Sequence, residues 1–196
     1  DFGVENYLTF FGSRYFLRAL GNSMTIGVLG TIIALLLGVP LAYLCARNVV
    51  PGMPVLRILI IMAMMSPPFI GAYAWIILFG RSGLVTQAGR QIGLDLPTIY
   101  GPGGIALVTA LHIYPVVFMI TYAAFRRVDR TLEEAAQNLG RDRWGVLRTV
   151  TLPLVMPALL TSGLLVFLGI IADFGTVNLL GEGERFPVLA TLAFAL

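Results

Sequence analysis

Four stretches of the chain carry no Asp, Glu, Lys or Arg over a length that can cross a bilayer: Ala19 to Ala46, Ile58 to Gly80, Leu96 to Phe125 and Thr149 to Ala172. Each reaches the ~18 apolar residues that license a membrane helix. A charge at the bilayer centre costs about 2.5 to 3.5 kcal/mol on insertion scales, so such runs mark the spans. Only 12% of the residues are charged and 58% are hydrophobic, whereas soluble domains carry about 25% charged residues. A soluble globular fold, disorder and collagen are excluded. The expected fold is all-α, a polytopic transmembrane helical bundle. A fifth apolar run, Phe186 to Leu196, falls short of the ~20 residues a crossing needs. With Asp1 at the start and no cleavable signal pattern, the chain is expected to be a fragment with four full spans and a truncated fifth.

Each span contains helix-disturbing residues, namely Pro40, the Pro67-Pro68 pair, Pro115 and Pro157. Membrane helices tolerate these where neighbours re-satisfy the freed backbone groups. All 13 basic residues are Arg, and against 10 acidic ones they give a net charge of +3. That excess is too small and dispersed for a nucleic-acid surface. Arg47, Arg57, Arg126, Arg127, Arg130, Arg141, Arg143 and Arg148 fall on one side of the spans. Arg14, Arg18, Arg81, Arg90 and Arg185 fall on the other. The positive-inside rule therefore puts the loop from Arg126 to Arg148 in the cytoplasm.

Before the first span, Asp1 to Leu20 mixes Tyr7, Phe10, Phe11, Tyr15 and Phe16 with Arg14 and Arg18, which suits an amphipathic lead-in at headgroup level. Glycines around Arg81 to Pro102, ending in Gly101-Pro102-Gly103-Gly104, mark turns and a span start. A single cysteine, Cys45, reads as a small hydrophobe in a helix.

Ten charged residues lie between Arg126 and Arg148. Thr131-Leu132-Glu133-Glu134 has the form of a capping box, with the Thr131 hydroxyl accepting from the amide three residues on and Glu134 reaching back. A helix is expected to start there. Leu132, Ala136 and Leu139 would share its apolar face, and Gly140 would supply the left-handed stop. Asp142 then suits the N-cap of a second helix with Trp144, Leu147 and Val150 as its stripe, and Pro153 follows where the next span begins. The expectation is two short amphipathic helices joined at a glycine. Two dispositions fit them: docking in a groove on a partner, or lying on the bilayer surface with Arg among the headgroups.

The string EEAAQNLGRDRWGVLRTVTLP resembles the cytoplasmic loop signature of bacterial binding-protein-dependent ABC importer permeases: Glu-Ala-Ala, three residues, Gly, nine residues, Ile, any residue, Leu-Pro. Here Glu134-Ala135-Ala136, Gly140, Val150, Leu152 and Pro153 occupy its seven fixed positions over 20 residues, with Val150 standing for isoleucine. The resemblance extends from about Asn22 to Leu196. It implies one transmembrane permease domain over residues 1–196, with a coupling loop at 126–153 that sits in a cleft on a cytoplasmic ATP-binding subunit. Glu134 would meet a basic residue of that subunit, Ala135 and Ala136 would permit close approach, and Gly140 would give the bend. The Glu134 carboxylate could cap its own helix as well.

The chain offers no phosphate-binding GxxxxGK[ST] loop, since it has no Lys, so ATP with its magnesium is expected on the partner chain and no cofactor on this one. No catalytic set or metal cluster is recognisable, and enzymatic activity is not expected. The resemblance further implies a second permease half (a copy, a related chain or a fused half), a solute-binding protein and a plasma-membrane bilayer as partners.

Asp173, in ADFGTVNLLG, stands at the outer end of the fourth span, where an ionisable residue marks either a solute path or the wet interface. The stretch LVFLGIIADFGTVNLLG resembles the ferric-iron type of permease, akin to those for thiamine, polyamines and phosphonates. The lone histidine, His112, suits a packed helix position better than an iron site, which needs several ligands. Metal affinity would then belong to the binding protein. The competing class is a secondary transporter or channel that needs no ATPase, which predicts membrane-embedded acids or inverted repeats.

Overall fold

The computed structural model describes residues 12–47, 52–94, 98–181 and 186–195. Among them the secondary structure is helical, without strands. Helix α1 spans Arg14–Arg47, α2 Met53–Met65, α3 Pro68–Phe79, α4 Leu84–Gln91 and α5 Pro102–Arg127. After it come α6 Arg130–Asn138, α7 Arg143–Val146, a π-helical turn Leu147–Thr151, α8 Leu152–Ile171, α9 Phe174–Gly181 and α10 Leu189–Ala195. Four helical stretches are long and apolar enough to cross a membrane: Arg14–Arg47, Pro68–Gln91, Pro102–Arg127 and Arg143–Ile171.

Several boundaries differ from the sequence reading. The first span starts at Arg14 rather than Ala19, because nothing in Tyr15-Phe16-Leu17-Arg18 breaks a helix. Tyr15 and Phe16 of the expected lead-in are therefore already in α1, while Tyr7, Phe10 and Phe11 lie outside the described residues, as does Arg185. The expected span Ile58 to Gly80 is divided at Ser66-Pro67 into α2 and α3. A residue before proline is pushed out of the helical region, and here Ser66 and Pro67 both precede one. Pro67 accordingly has ψ 140°, with Pro68 opening α3. Single prolines behave otherwise: α1, α5 and α8 run through Pro40, Pro115 and Pro157. The third span opens at Pro102, behind Gly101 at φ 92°, and α4 occupies what reads as a plain loop.

The chain divides into two compact units, Asp1–Thr31 with Ser66–His112 and Phe167–Leu196, and Ile32–Met65 with Ile113–Val166. Helices α1, α5 and α8 contribute residues to both. In the first unit, α1 approaches α8 through glycines: a Cβ on Gly27 would stand 2.8 Å from the Phe167 ring, and one on Gly30 2.7 Å from Ile170 Cδ1. Small residues at helix contacts allow such approach in membranes. The Asn22 amide donates to the Pro187 carbonyl at 2.8 Å, and the Leu189 amide to Ser23 Oγ at 2.9 Å, which ties the start of α10 to α1.

The second unit is built around Phe118 and Phe125 of α5, packed with Ala42, Cys45, Ala46, Ile60, Val128 and Val155. Tyr43 meets Phe125 edge to face at 5.4 Å, a favoured aromatic geometry. Arg57 of α2 lies 4.8 Å over the Tyr122 ring and donates to its hydroxyl at 2.6 Å, which pins α2 to α5. With 34 residues, α1 is about 51 Å long at the usual helical rise, well beyond the ~30 Å hydrocarbon core. Its surplus length carries Arg47 out to the loop that follows α5.

Candidate functional site

The loop between α5 and α8 begins with Asp129, whose carboxylate accepts the Thr131 amide at 3.0 Å and caps α6. The expected Thr131 capping box is therefore corrected: α6 starts at Arg130, and Thr131 is already in its first turn. Two cap-forming residues compete here, and an aspartate is at least as good an N-cap as a threonine. The Asp129 carboxyl is held below its ordinary value, first by the Thr131 backbone N–H and then by the Thr131 hydroxyl, against slight desolvation.

Helix α6 ends as expected at Gly140, which has φ 86°. The Gly140 amide donates to the Gln137 carbonyl at 2.9 Å and the Arg141 amide to that of Ala136 at 3.1 Å, the paired bonds of a glycine-terminated helix. Asp142 caps the next helix by accepting the Gly145 amide at 3.1 Å. That second helix is not a separate element, however. It is the first turn of the fourth span, which runs from Arg143 to Ile171. The two parts join through the π turn, where the Leu152 amide reaches back to the Leu147 carbonyl.

On this frame Leu139 is 87% exposed, Trp144 69% and Leu132 49%. Of the signature residues, Glu134, Ala135, Gly140 and Pro153 are exposed, and Ala136, Val150 and Leu152 are half-buried. All lie within the unit that holds Ile113–Val166. Among the described residues, the Glu134 side chain makes no hydrogen bond or ion pair. Its neighbour Glu133 does: Oε1 accepts from Arg47 at 2.6 Å and from the Thr151 hydroxyl at 2.6 Å. The Arg47 and Glu133 side chains are 12% and 17% exposed, and Thr151 is fully buried. Glu133, Glu134, Arg47, Arg143 and Thr151 help to line a cleft of about 380 Å³. Glu133 carries no expected role in the sequence, where its only local signal is the doubling of glutamate before Ala135.

Asp173 belongs to the other unit. Its carboxylate accepts the Thr176 amide at 3.1 Å, at the head of α9. His112 is half-buried in the middle of α5. No cluster of three or more metal-binding side chains occurs among the described residues.

Residues 34–194 match the family model described as "Binding-protein-dependent transport system inner membrane component". The chain is 31% identical over 196 residues to the ferric transport system permease protein FbpB of Actinobacillus pleuropneumoniae, covering 97% of this chain and 28% of that protein. It is 27% identical over 175 residues to the molybdenum transport system permease protein ModB of Escherichia coli K12, covering 87% of this chain and 76% of the relative. Its fold is similar to a chain in the crystal structure of a bacterial alginate ABC transporter in complex with an alginate pentasaccharide-bound periplasmic protein. That match has a TM-score of 0.79 at 23% identity and covers 99% of this chain and 71% of the other.

Proposed function

Because the chain belongs to the family of binding-protein-dependent transport system inner membrane components, multi-pass proteins of the bacterial inner membrane, we propose that it is a permease part of an ATP-driven importer, coupled to a separate cytoplasmic ATPase subunit through residues 126–153. The observation that carries this reading is the exposure of Leu132, Leu139 and Trp144 on a loop whose helix ends are firmly capped. An ordered, apolar and unpaired surface of this kind suits a groove on a partner. Glu134 would meet a basic residue in that groove, and Ala135 and Ala136 would allow close approach. Gly140 would set the bend, with Val150, Leu152 and Pro153 as the footing on the span. ATP and magnesium belong to the partner, and a second permease half completes the passage.

Ferric iron is the solute we favour, delivered by a binding protein outside the membrane, and the FbpB relative supports it. The ModB relative, a molybdenum transport permease, supports a competing solute. Asp173 is the candidate for the solute path, with part of its carboxylate already engaged at the head of α9.

The test is Glu134→Ala in the complete transporter. Association with the ATPase subunit should weaken by about tenfold or more, as for loss of one member of an interfacial charge pair, and solute-stimulated ATP hydrolysis should fall with it. If both persist unchanged, docking through Glu134 is wrong. Uptake into vesicles that lack the ATPase subunit would restore the channel or secondary-transporter reading.

A further inference from the structure

We infer that Glu133 is the residue that gears the coupling loop to the membrane helices, by joining α6 to the end of α1 and to the π turn at the head of α8 through one carboxylate oxygen. The inference rests on the coupling function proposed above and assigns a second, separate role within the same loop.

Three observations carry it. First, the geometry is convergent: Glu133 Oε1 receives both the Arg47 guanidinium and the Thr151 hydroxyl at 2.6 Å. These donors lie 86 and 18 residues away along the chain. To the chain connections at Val128-Asp129 and Gly140, and to the packing of α6 against α7 and the π turn, they add a polar tie that reaches α1 as well. With them, displacement of α6 pulls directly on α1 and α8.

Second, the chemistry favours a positional role over a stabilising one. Withdrawing an ion pair from water costs about as much as the attraction returns. The Arg47 guanidinium is also incompletely served: Nε is buried with no acceptor among the described residues, and the bond to the Val128 carbonyl is long at 3.5 Å. Such a pair adds little net stability relative to apolar packing but fixes direction. Third, the neighbouring carboxylates divide the work by orientation, Glu133 being turned inward to the helices and Glu134 outward and unpaired.

The experiment uses the assembled transporter in proteoliposomes and reads the number of solute molecules moved per ATP hydrolysed, together with subunit association. Glu133→Gln keeps an acceptor for Thr151 but loses the charge opposite Arg47. It should leave association intact and lower the transport ratio by about tenfold, the scale on which coupling networks act. A merely destabilised permease would lose transport and hydrolysis together, leaving the ratio unmoved. The reversed pair Arg47→Glu with Glu133→Arg should recover part of the ratio relative to either single change. Should E133Q fail to accumulate, Thr151→Val removes one donor at constant shape and should lower the ratio in the same direction.

A wild-type ratio in E133Q, or in T151V where E133Q does not accumulate, overturns the inference. Loss of association in E133Q equal to that in Glu134→Ala overturns it too. Failure of the docking reading is seen separately, as normal assembly and hydrolysis in Glu134→Ala.

Discussion

At Gly140 the backbone sits at φ 86°, a region that costs an L side chain about 1 kcal/mol or more. Gly140→Ala is expected to weaken the end of α6 by about that amount, seen as faster amide exchange at Gly140 and Arg141. Gly140→Asn should cost less, since asparagine tolerates the left-handed region. Asp129 gives a pH dependence of definite sign. Its folded pKa lies below the unfolded one, so the cap's contribution is complete at neutral pH. It is lost only as the pH falls below about 4, the ordinary aspartate value, and through the depressed folded value. The Asp129 carboxyl should titrate below that ordinary value by NMR, and Asp129→Asn should keep α6 capped while abolishing the dependence. The caps Asp142 and Gly140 were legible in the sequence because a cap is local, complete within three or four residues. The cap at Asp129 was hidden because Thr131 offers a rival cap two positions on. The role of Glu133 was not legible beyond the doubled glutamate, since a partner 86 residues distant leaves no mark in spacing.

Among the elements, the α1–α5 contact depends on Gly38, where a Cβ would come within 2.7 Å of Val117 Cβ and 3.1 Å of the Phe118 amide nitrogen. Neither atom is the free end of a flexible chain. Gly38→Val should therefore force α1 from α5 and cost about 1 to 3 kcal/mol, the usual range for overpacking, read as a lower thermal midpoint in detergent. Gly71→Val is the control, because nothing stands within 4 Å of that site in the chain. The spans were readable from charge-free runs, which bilayer energetics impose directly. The division between α2 and α3 was not, because hydropathy is blind to backbone shape and the Ser66-Pro67-Pro68 string is as free of charge as its surroundings. The continuity of α7 with the fourth span was missed for a related reason: Arg143 and Arg148 mark where the bilayer stops, and a helix need not stop with it.

For the molecule as a whole, the unequal distribution of arginine predicts an orientation with the loop after α5 in the cytoplasm. In a Cys45→Ala background, freed likewise of any cysteine outside these 196 residues, a cysteine at Gln137 should react with a membrane-impermeant maleimide in inside-out vesicles and not in intact spheroplasts. The opposite pattern would reverse the topology. Composition alone established the membrane class, and the uneven placement of charge picked out the loop. What it could not give was how that loop is phased against the spans. The π turn at Leu147–Thr151 makes this a question of angle. A π turn holds one residue more than an α turn, so losing one residue there would let it close as α-helix with little rotation, whereas one residue added to the helix ahead of it would swing the loop around the span axis by about 100°, carrying Glu133 away from Thr151. The interval between Gly140 and Pro153 thus acts as an angular setting as well as a distance, and no change of side chain could compensate for an added residue.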